Sequence, residues 1–396
     1  MNPRVWIAVR AALLAACLCV PLLTHAEARA TSESISAPTL REAYAGAFKL
    51  GVAVNHAIVA GEDPHSRALM LEHFNALTAE NVMKAEVLQP RPGEFDFAAA
   101  DAFVEFGDAH GMFLVGHTLV WHNQTPAWFF ESSEGLPLPR AQVIGQLQDY
   151  IATVAGRYAG RVQAWDVVNE VIAEDGSYRR TRWVEAIGDG DTLVRLAFAA
   201  AAEAAPEAEL YYNDFNTWRP EKRAGIVRMA KMLQDAGLRI DGIGMQGHWG
   251  LNYPPLEEIE ASIEAFDALG LKVMITELDI DVLPLTREGQ VIGTVLQHPQ
   301  FQLPEFKRYL DPWPQGLPPE VEQQLADRYA ELFALFLRHV DAIDRVTLWG
   351  VHDGMSWKND YPIPNRRNYP LLFDRKRQPK PALSAVLQAA GARLPP

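Results

Sequence analysis

The sequence predicts an α/β protein, a single-domain (β/α)8 barrel of the TIM type. Three observations predict it. A short β-rich run followed by a helical stretch recurs eight times along the chain. The runs are near-continuous apolar segments rather than clean alternations, as expected of parallel strands covered on both faces. Each run also ends in polar or aromatic residues, where such a barrel places its site. A doubly wound open sheet is the competing architecture, but eight strand–helix units in one chain favour closure.

The strands are expected at 50–55 (LGVAVN), 76–84 (ALTAENVMK), 113–122 (FLVGHTLVWH) and 162–170 (VQAWDVVNE). The later four are 209–216 (ELYYNDFN), 240–249 (IDGIGMQGHW), 272–280 (KVMITELDI) and 345–354 (RVTLWGVHDG). Between them, Asp96 can cap a helix that Gly111 ends, and Asp191 can cap the alanine-rich stretch before Pro206. Pro220 and Gly237 bracket another helix, and Pro255 and Gly270 the next, with proline opening and glycine closing each. Longer helical patterns cover 319–341 and 380–390. The barrel is expected over 41–391. Two stretches break its economy, an insertion at 283–318 and a loop at 355–373, and long structured loops on a barrel usually serve function.

Residues 1–26 read as a secretory signal peptide, with cleavage somewhere in 26–30. Arg4 and Arg10 precede an apolar run from Ala11 to Leu23, and small residues follow at Ala26, Ala28 and Ala30. The run is too short for a membrane span. Leu14-Ala15-Ala16-Cys17 also resembles a lipoprotein cleavage site, but the apolar continuation through Leu23 ranks that second. Residues 27–40 follow as a short polar linker. The expected destination is therefore secreted, extracellular or periplasmic, with no membrane attachment in the mature form. Both cysteines, Cys17 and Cys19, lie in the removed segment, which leaves the mature chain without disulfides or thiol chemistry. A net charge of −14 argues against nucleic acid and anionic membranes, and fits a soluble protein acting on a neutral partner; a monomer is expected.

The strand ends collect a particular set of side chains. The second strand offers Glu80, Asn81 and Lys84; the third offers His117, Trp121, His122 and Gln124. Asn169 and Glu170 end the fourth, Tyr212, Asn213 and Asp214 the fifth, and Gln246 and His248 the sixth. Glu277 and Asp279 lie on the seventh, Trp349, His352 and Asp353 on the eighth, and Trp357 in the loop after it. With no glycine-rich phosphate loop and little positive charge, this rim argues against phosphate-bearing substrates. Glycoside hydrolysis, by contrast, needs two carboxyl groups, one to protonate the leaving oxygen and one to attack or to activate water. Their surroundings must keep one neutral and the other charged. Glu170 and Glu277 sit on different parts of the rim and could face each other across a cleft. Indoles offer flat faces to sugar rings, and amides and Lys84 can bond hydroxyls.

A metal site built from His117, His122, His248 and Asp279 is the alternative. No His-x-His pair or His-Glu-x-x-His helix supports it, and the first strand ends in Asn55-His56 with no second histidine. No metal and no organic cofactor is expected. Asp279 lies two residues from Glu277 and so points to the same side of a regular strand. His248 between them could hold Glu277 ionised and oriented.

At these residues the sequence resembles the endo-β-1,4-xylanases of glycoside hydrolase family 10. The stretches that carry the resemblance are TAENVMKAE, GHTLVWHNQTPAW, WDVVNE, LYYNDFN, IGMQGHW, ITELDI and WGVHDGMSW, in order across about 42–390. It implies endo-hydrolysis of xylan or xylo-oligosaccharides by a retaining double displacement through a covalent glycosyl-enzyme. Glu170 would be the acid/base and Glu277 the nucleophile. It further implies sugar-binding roles for Glu80, Asn81, Lys84, His117, Trp121 and Gln124, with Asn169 on the sugar 2-hydroxyl. Gln246, His248 and Trp349 would close the subsite at the cleaved bond, with Trp357 above it, and Tyr212 and Asn213 would face the leaving-group side. His352 departs from the family, which more often has a small hydroxyl residue there, and the 283–318 insertion and the 355–373 loop are unusual. A non-catalytic carbohydrate-binding barrel and a retaining barrel enzyme acting on glucan or aryl glycosides are the rival readings.

Overall fold

The computed structural model describes residues 38–284, 303–361 and 364–391. The expected signal peptide, nearly all of the linker and part of the 283–318 insertion lie outside the described residues. Nine strands form the sheet: β1 (Lys49–Val54), β2 (Ala76–Ala79), β3 (Phe113–Val120), β4 (Ala164–Asn169), β5 (Glu209–Asp214), β6 (Gly242–Met245), β7 (His248–Gly250), β8 (Lys272–Asp281) and β9 (Ile343–Leu348). They pair in parallel in the order β6-β5-β4-β3-β2-β1-β9-β8-β7, and a further β6–β8 pairing closes the ring. β6 and β7 are one barrel stave interrupted at Gln246-Gly247, where Gly247 takes a left-handed φ of 84°. The expected 240–249 strand is thus split, and the barrel has eight staves.

Burial on both faces explains the unbroken apolar runs. Leu50, Val52, Val167, Ile243 and Val273 are fully covered, as is most of every strand. Val115, Ala164, Tyr211 and Met274, from β3, β4, β5 and β8, pack together as a cluster apart from the main core. Residues of strands that are not neighbours can meet only across the barrel's inside, so this cluster is its filling.

Several boundaries differ from the expectation for local reasons. β2 stops at Ala79 rather than Lys84, because the chain turns there: the Lys84 amide donates to Asn81 O at 3.1 Å and Lys84 opens the helix Ala85–Leu88. β9 ends at Leu348, short of 354, and Asp353–Met355 form a 3-10 turn. The helix Gly190–Ala204 is capped by Asp189, whose Oδ1 accepts from the Thr192 amide at 2.7 Å; the expected cap, Asp191, accepts from Tyr178 Oη instead. The barrel unit also starts before 41. Thr39 and Glu42 form a capping box that opens the helix Leu40–Ala43, and Leu40 is buried. Among the described residues no helix is long and apolar enough to cross a membrane.

Two unusual loops are stapled to each other. The buried Arg366 donates to Leu310 O at 2.7 Å, Tyr361 O at 2.9 Å and Pro284 O at 3.0 Å. It thereby ties the helix Pro304–Leu310 of the insertion to the loop after β9. Below the loop after β4, Gly176 (φ 79°) lies against the helix Pro220–Asp235. A Cβ on Gly225 would stand 2.4 Å from Gly176 O, backbone against backbone, with no side chain to give way. Gly225→Ala is therefore expected to destabilise the protein by about 1–3 kcal/mol, seen as a lower urea midpoint at an unchanged slope.

Candidate active site

Glu170 is the first residue beyond β4, and its backbone is left-handed, with φ at 59°. A non-glycine residue held there costs roughly 1–3 kcal/mol, so neighbours must over-determine it. They do. Its amide donates to Asn213 O at 2.9 Å and its carbonyl accepts from Arg179 Nε at 3.0 Å. The carboxyl group lines the cleft, with Oε2 accepting from Trp121 Nε1 at 2.8 Å and Oε1 from Gln246 Nε2 at 3.0 Å.

Glu277 sits within β8 and is met by different donors. Its Oε1 accepts from Asn213 Nδ2 at 2.8 Å and its Oε2 faces His248 Nε2 at 3.2 Å. The other ring nitrogen of His248 faces Asp279 Oδ1 at 2.9 Å, and Asp279 Oδ2 accepts from Trp357 Nε1 at 2.9 Å. Burial works against a charged imidazole, but Asp279 and Glu277 outweigh it and push His248 up to about 9. Both ring nitrogens then donate. Burial alone would likewise raise Glu277; the His248 hydrogen bond, the charges of His117 and His248, and the Asn213 bond together hold its carboxyl below the usual range. Asp279 is lowered in the same way, with His248 and Lys358 overcoming its burial.

A bridge of amides joins the two carboxyl groups. Gln246 Nε2, bonded to Glu170, also reaches Asn169 Oδ1 at 3.3 Å, and Asn213 Nδ2, bonded to Glu277, reaches the same oxygen at 3.0 Å. Turning the Asn169 amide over would let it donate to Asn213 O at 3.1 Å and accept from Trp121 Nε1 at 3.3 Å, but would set its NH2 against the Asn213 NH2 at 3.0 Å. Two donors facing an oxygen is the better arrangement. Thr276 Oγ1 donates to Asn213 Oδ1 at 2.6 Å, which fixes that amide in turn.

Glu170, Glu277, Asn169, Gln246 and His248 line one cleft of about 500 Å³, the size of a small-molecule or oligosaccharide site. The structure brings Glu80, Asn81, Lys84, His117, Trp121, Asn169, Glu170, Gln246, His248, Glu277, Trp349 and Trp357 to it. Lys84 bonds Asn81 Oδ1 at 3.0 Å and lies 4.9 Å from the Trp121 ring. Burial lowers its pKa although Glu277, Glu80 and Glu170 oppose it, and burial raises Glu80. His117 is fixed by Asp166 at 2.8 Å and packs edge-on to Trp349 at 5.4 Å.

Three of the expected sugar-binding residues stand elsewhere. Gln124, with φ at 49°, turns away and donates to Glu86 Oε1 at 2.7 Å. Asn213 is buried beneath the carboxyl groups rather than facing a leaving group. Tyr212 is fully buried and belongs to the main core, because it alternates with Tyr211 and Asn213 and so points out of the barrel. Asp279 is buried behind His248, with its Oδ1 2.9 Å from the imidazole Nδ1. Of the other rim candidates, Asp214 pairs with Lys222, Asp353 pairs with Lys380 at 3.0 Å, and His352 accepts from the Gly354 amide at 3.1 Å.

The cleft also holds residues that the strand-end reading did not single out: Asn123, Phe215, Asn216, Tyr253, Lys358 and Tyr361. Asn123 falls between two residues that it did, Phe215 and Asn216 directly follow Asp214, and Lys358 and Tyr361 lie in a loop marked as functional. Tyr253 has no signal in the sequence. As for metals, His117 and His248 are committed to carboxylates. Among the described residues a set of three metal-capable groups within reach of one ion is Glu260, Glu264 and His339, in the outer helix layer, where Glu260 is already bonded to His339 and Arg338.

A closed parallel barrel whose cleft gathers two carboxyl groups among indoles and amides has the layout of a barrel glycoside hydrolase. The chain belongs to glycosyl hydrolase family 10, whose pattern it matches over residues 39–389. It is 41% identical to an endo-1,4-beta-xylanase of Geobacillus stearothermophilus over 355 residues, covering 89% of this chain and 98% of that one. It is 39% identical to endo-1,4-beta-xylanase A of Xylanibacter ruminicola over 353 residues, 89% of this chain and 93% of the other. Among solved structures, a GH10 endoxylanase retrieved from a sugarcane soil metagenome superposes with a TM-score of 0.82 at 43% identity, covering 89% of this chain and 99% of that one.

The raised value of His248 has a measurable consequence. Its contribution to stability is fully present below its ordinary value near 6.5 and is lost as pH rises through about 9. The expected outcome is an imidazole NMR signal that titrates near 9. The unfolding free energy should decline over the same interval in the wild type, and that decline should be missing in His248→Gln.

Proposed function

We propose that the chain is an endo-β-1,4-xylanase that cleaves xylan and xylo-oligosaccharides with retention, using Glu277 as nucleophile and Glu170 as acid/base. The single observation that carries the division of labour is the unlike company of the two carboxyl groups. Glu277 is bonded to Asn213 and to a protonated His248, which favour its ionised form, whereas the donors to Glu170, Trp121 and Gln246, are neutral. The choice of xylan is supported by the relatives at 39% and 41% identity that are named endo-1,4-beta-xylanases.

In the first step a Glu277 oxygen attacks the anomeric carbon while the bond to the leaving oxygen breaks and Glu170 gives that oxygen its proton. The sugar is left as an ester on Glu277. In the second step Glu170, now a carboxylate, takes a proton from water; the water oxygen attacks the same carbon and Glu277 departs as carboxylate. Asn169 bonds the sugar 2-hydroxyl, and hydrogen bonds to that hydroxyl strengthen in the transition state. Glu80, Asn81, Lys84 and His117 bond the hydroxyls of the glycone, and Trp349 and Trp357 cover its faces. The N-terminal arrangement of Arg4, Arg10 and the apolar run supports export, so that the mature enzyme meets its polymer outside the cytoplasm.

Reducing-sugar release from xylan is expected to fall by at least about 10³-fold in Glu277→Ala, and in the wild type to exceed release from cellulose. Undiminished xylan hydrolysis by that variant would sink the assignment.

A further inference from the structure

The peptide that follows Glu170 is held by a group the mechanism does not use. The amides of Val171 and Ile172 both donate to one atom, Tyr212 Oη, at 3.1 and 3.0 Å. The hydroxyl in turn donates to Asp214 Oδ2. Asp214 is buried, and its other oxygen faces Lys222 Nζ at 2.8 Å and the Phe215 amide at 2.9 Å. Lys222, also buried, reaches on to Glu174 Oε1 at 3.3 Å, and Arg219 meets the same carboxylate at 3.1 Å. From the solvent side Arg179 completes the grip, donating to Glu170 O at 3.0 Å and to Ile172 O at 3.4 Å, while its own amide donates to Val171 O at 2.7 Å. With the Glu170 amide on Asn213 O, every backbone amide and carbonyl from Glu170 to Ile172 is accounted for by this frame, apart from any bond to substrate or solvent.

We propose that Tyr212, backed by Asp214 and Lys222, is a positioning residue for Glu170, fixing the left-handed turn that aims the acid/base at the leaving oxygen. This rests on the reading of Glu170 as acid/base. A phenylalanine would fill the same space in the core, so packing does not require the hydroxyl; what the hydroxyl adds is a single acceptor for two converging amides. A left-handed glutamate released from that acceptor relaxes toward ordinary backbone angles, and its carboxyl group moves off the line of proton transfer. Small misplacements of a catalytic group are costly in rate.

Leaving-group chemistry separates this role from a general loss of integrity. Expulsion of a sugar alcohol needs the proton, whereas a dinitrophenolate departs without it, and kcat/KM reports the steps through this departure. Tyr212→Phe is expected to lower kcat/KM on xylopentaose about ten-fold or more, at nearly unchanged KM, and to alter it by less than about two-fold on 2,4-dinitrophenyl β-xylobioside. Equal losses on both substrates, or no loss on xylopentaose, would overturn the proposal. Should Tyr212→Phe fail to fold, Arg179→Met, which cuts the same frame from its outer side, is expected to show the same selective loss, and an equal loss on both would overturn it. Glu170→Ala run alongside tests the underlying reading by itself: full activity on xylopentaose there would refute the acid/base assignment whatever Tyr212→Phe does.

Discussion

The site depends on one shared hydrogen-bond acceptor. Asn169 Oδ1 takes a donor from Gln246 and a donor from Asn213, and each of those amides also bonds one of the two carboxyl groups. β4 supplies the acceptor, while β5 and the break between β6 and β7 supply the donors. Because amides have a fixed count of donors and acceptors, the bridge tolerates few alternatives. The constraint reaches back into the fold: the residues of this bridge come from four staves that pair in succession, β4 with β5, β5 with β6 and β6 with β8. The split in the sixth stave at Gln246-Gly247 belongs to the same demand, since Gln246 must leave the strand to reach Glu170 while its carbonyl still accepts from the Glu277 amide at 2.7 Å.

On the other side of Glu277 the constraint is electrostatic. Glu277, Asp279 and Asp281 lie two residues apart along β8, a row of acids that would repel one another if left alone. His248 is set between the first two, and Lys358 between the second and third, at 3.6 Å from Asp279 and 3.4 Å from Asp281. Charges therefore alternate along the strand. Lys358 comes from the long loop after β9, and Asn368 of that loop donates to Asp281 at 2.9 Å. The loop that looks like an ornament on the barrel thus completes the charge balance behind the nucleophile candidate, and Arg366 anchors it to the insertion.

Much of this was legible before the structure. Strand–helix alternation and apolar runs specify a barrel, and acids that close such runs, as in WDVVNE and ITELDI, stand out. Local competition explains what was not. Asp189 and Asp191 are both able to cap one helix, and only tertiary contacts, Tyr178 on Asp191 among them, decide between them. The helix Arg140–Arg157 is preceded by Pro139 with no side-chain cap, so it carries no start signal of the usual kind. The placing of Tyr212 was open to correction from the sequence alone: neighbours on a strand face opposite ways, so Tyr212 and Asn213 could not both face the cleft. Gln124 escaped because it lies beyond β3 in a left-handed turn, where strand periodicity says nothing.

In the proposed mechanism two unlike carboxyl groups, joined through one amide bridge, act in sequence through an ester on Glu277. Two displacements at the same carbon restore its configuration, whereas a single attack by water inverts it. Proton NMR of xylo-oligosaccharide hydrolysis, recorded before mutarotation, reads this directly. Double displacement gives the β-anomer as the first new reducing ends; α-anomer appearing first would rule it out.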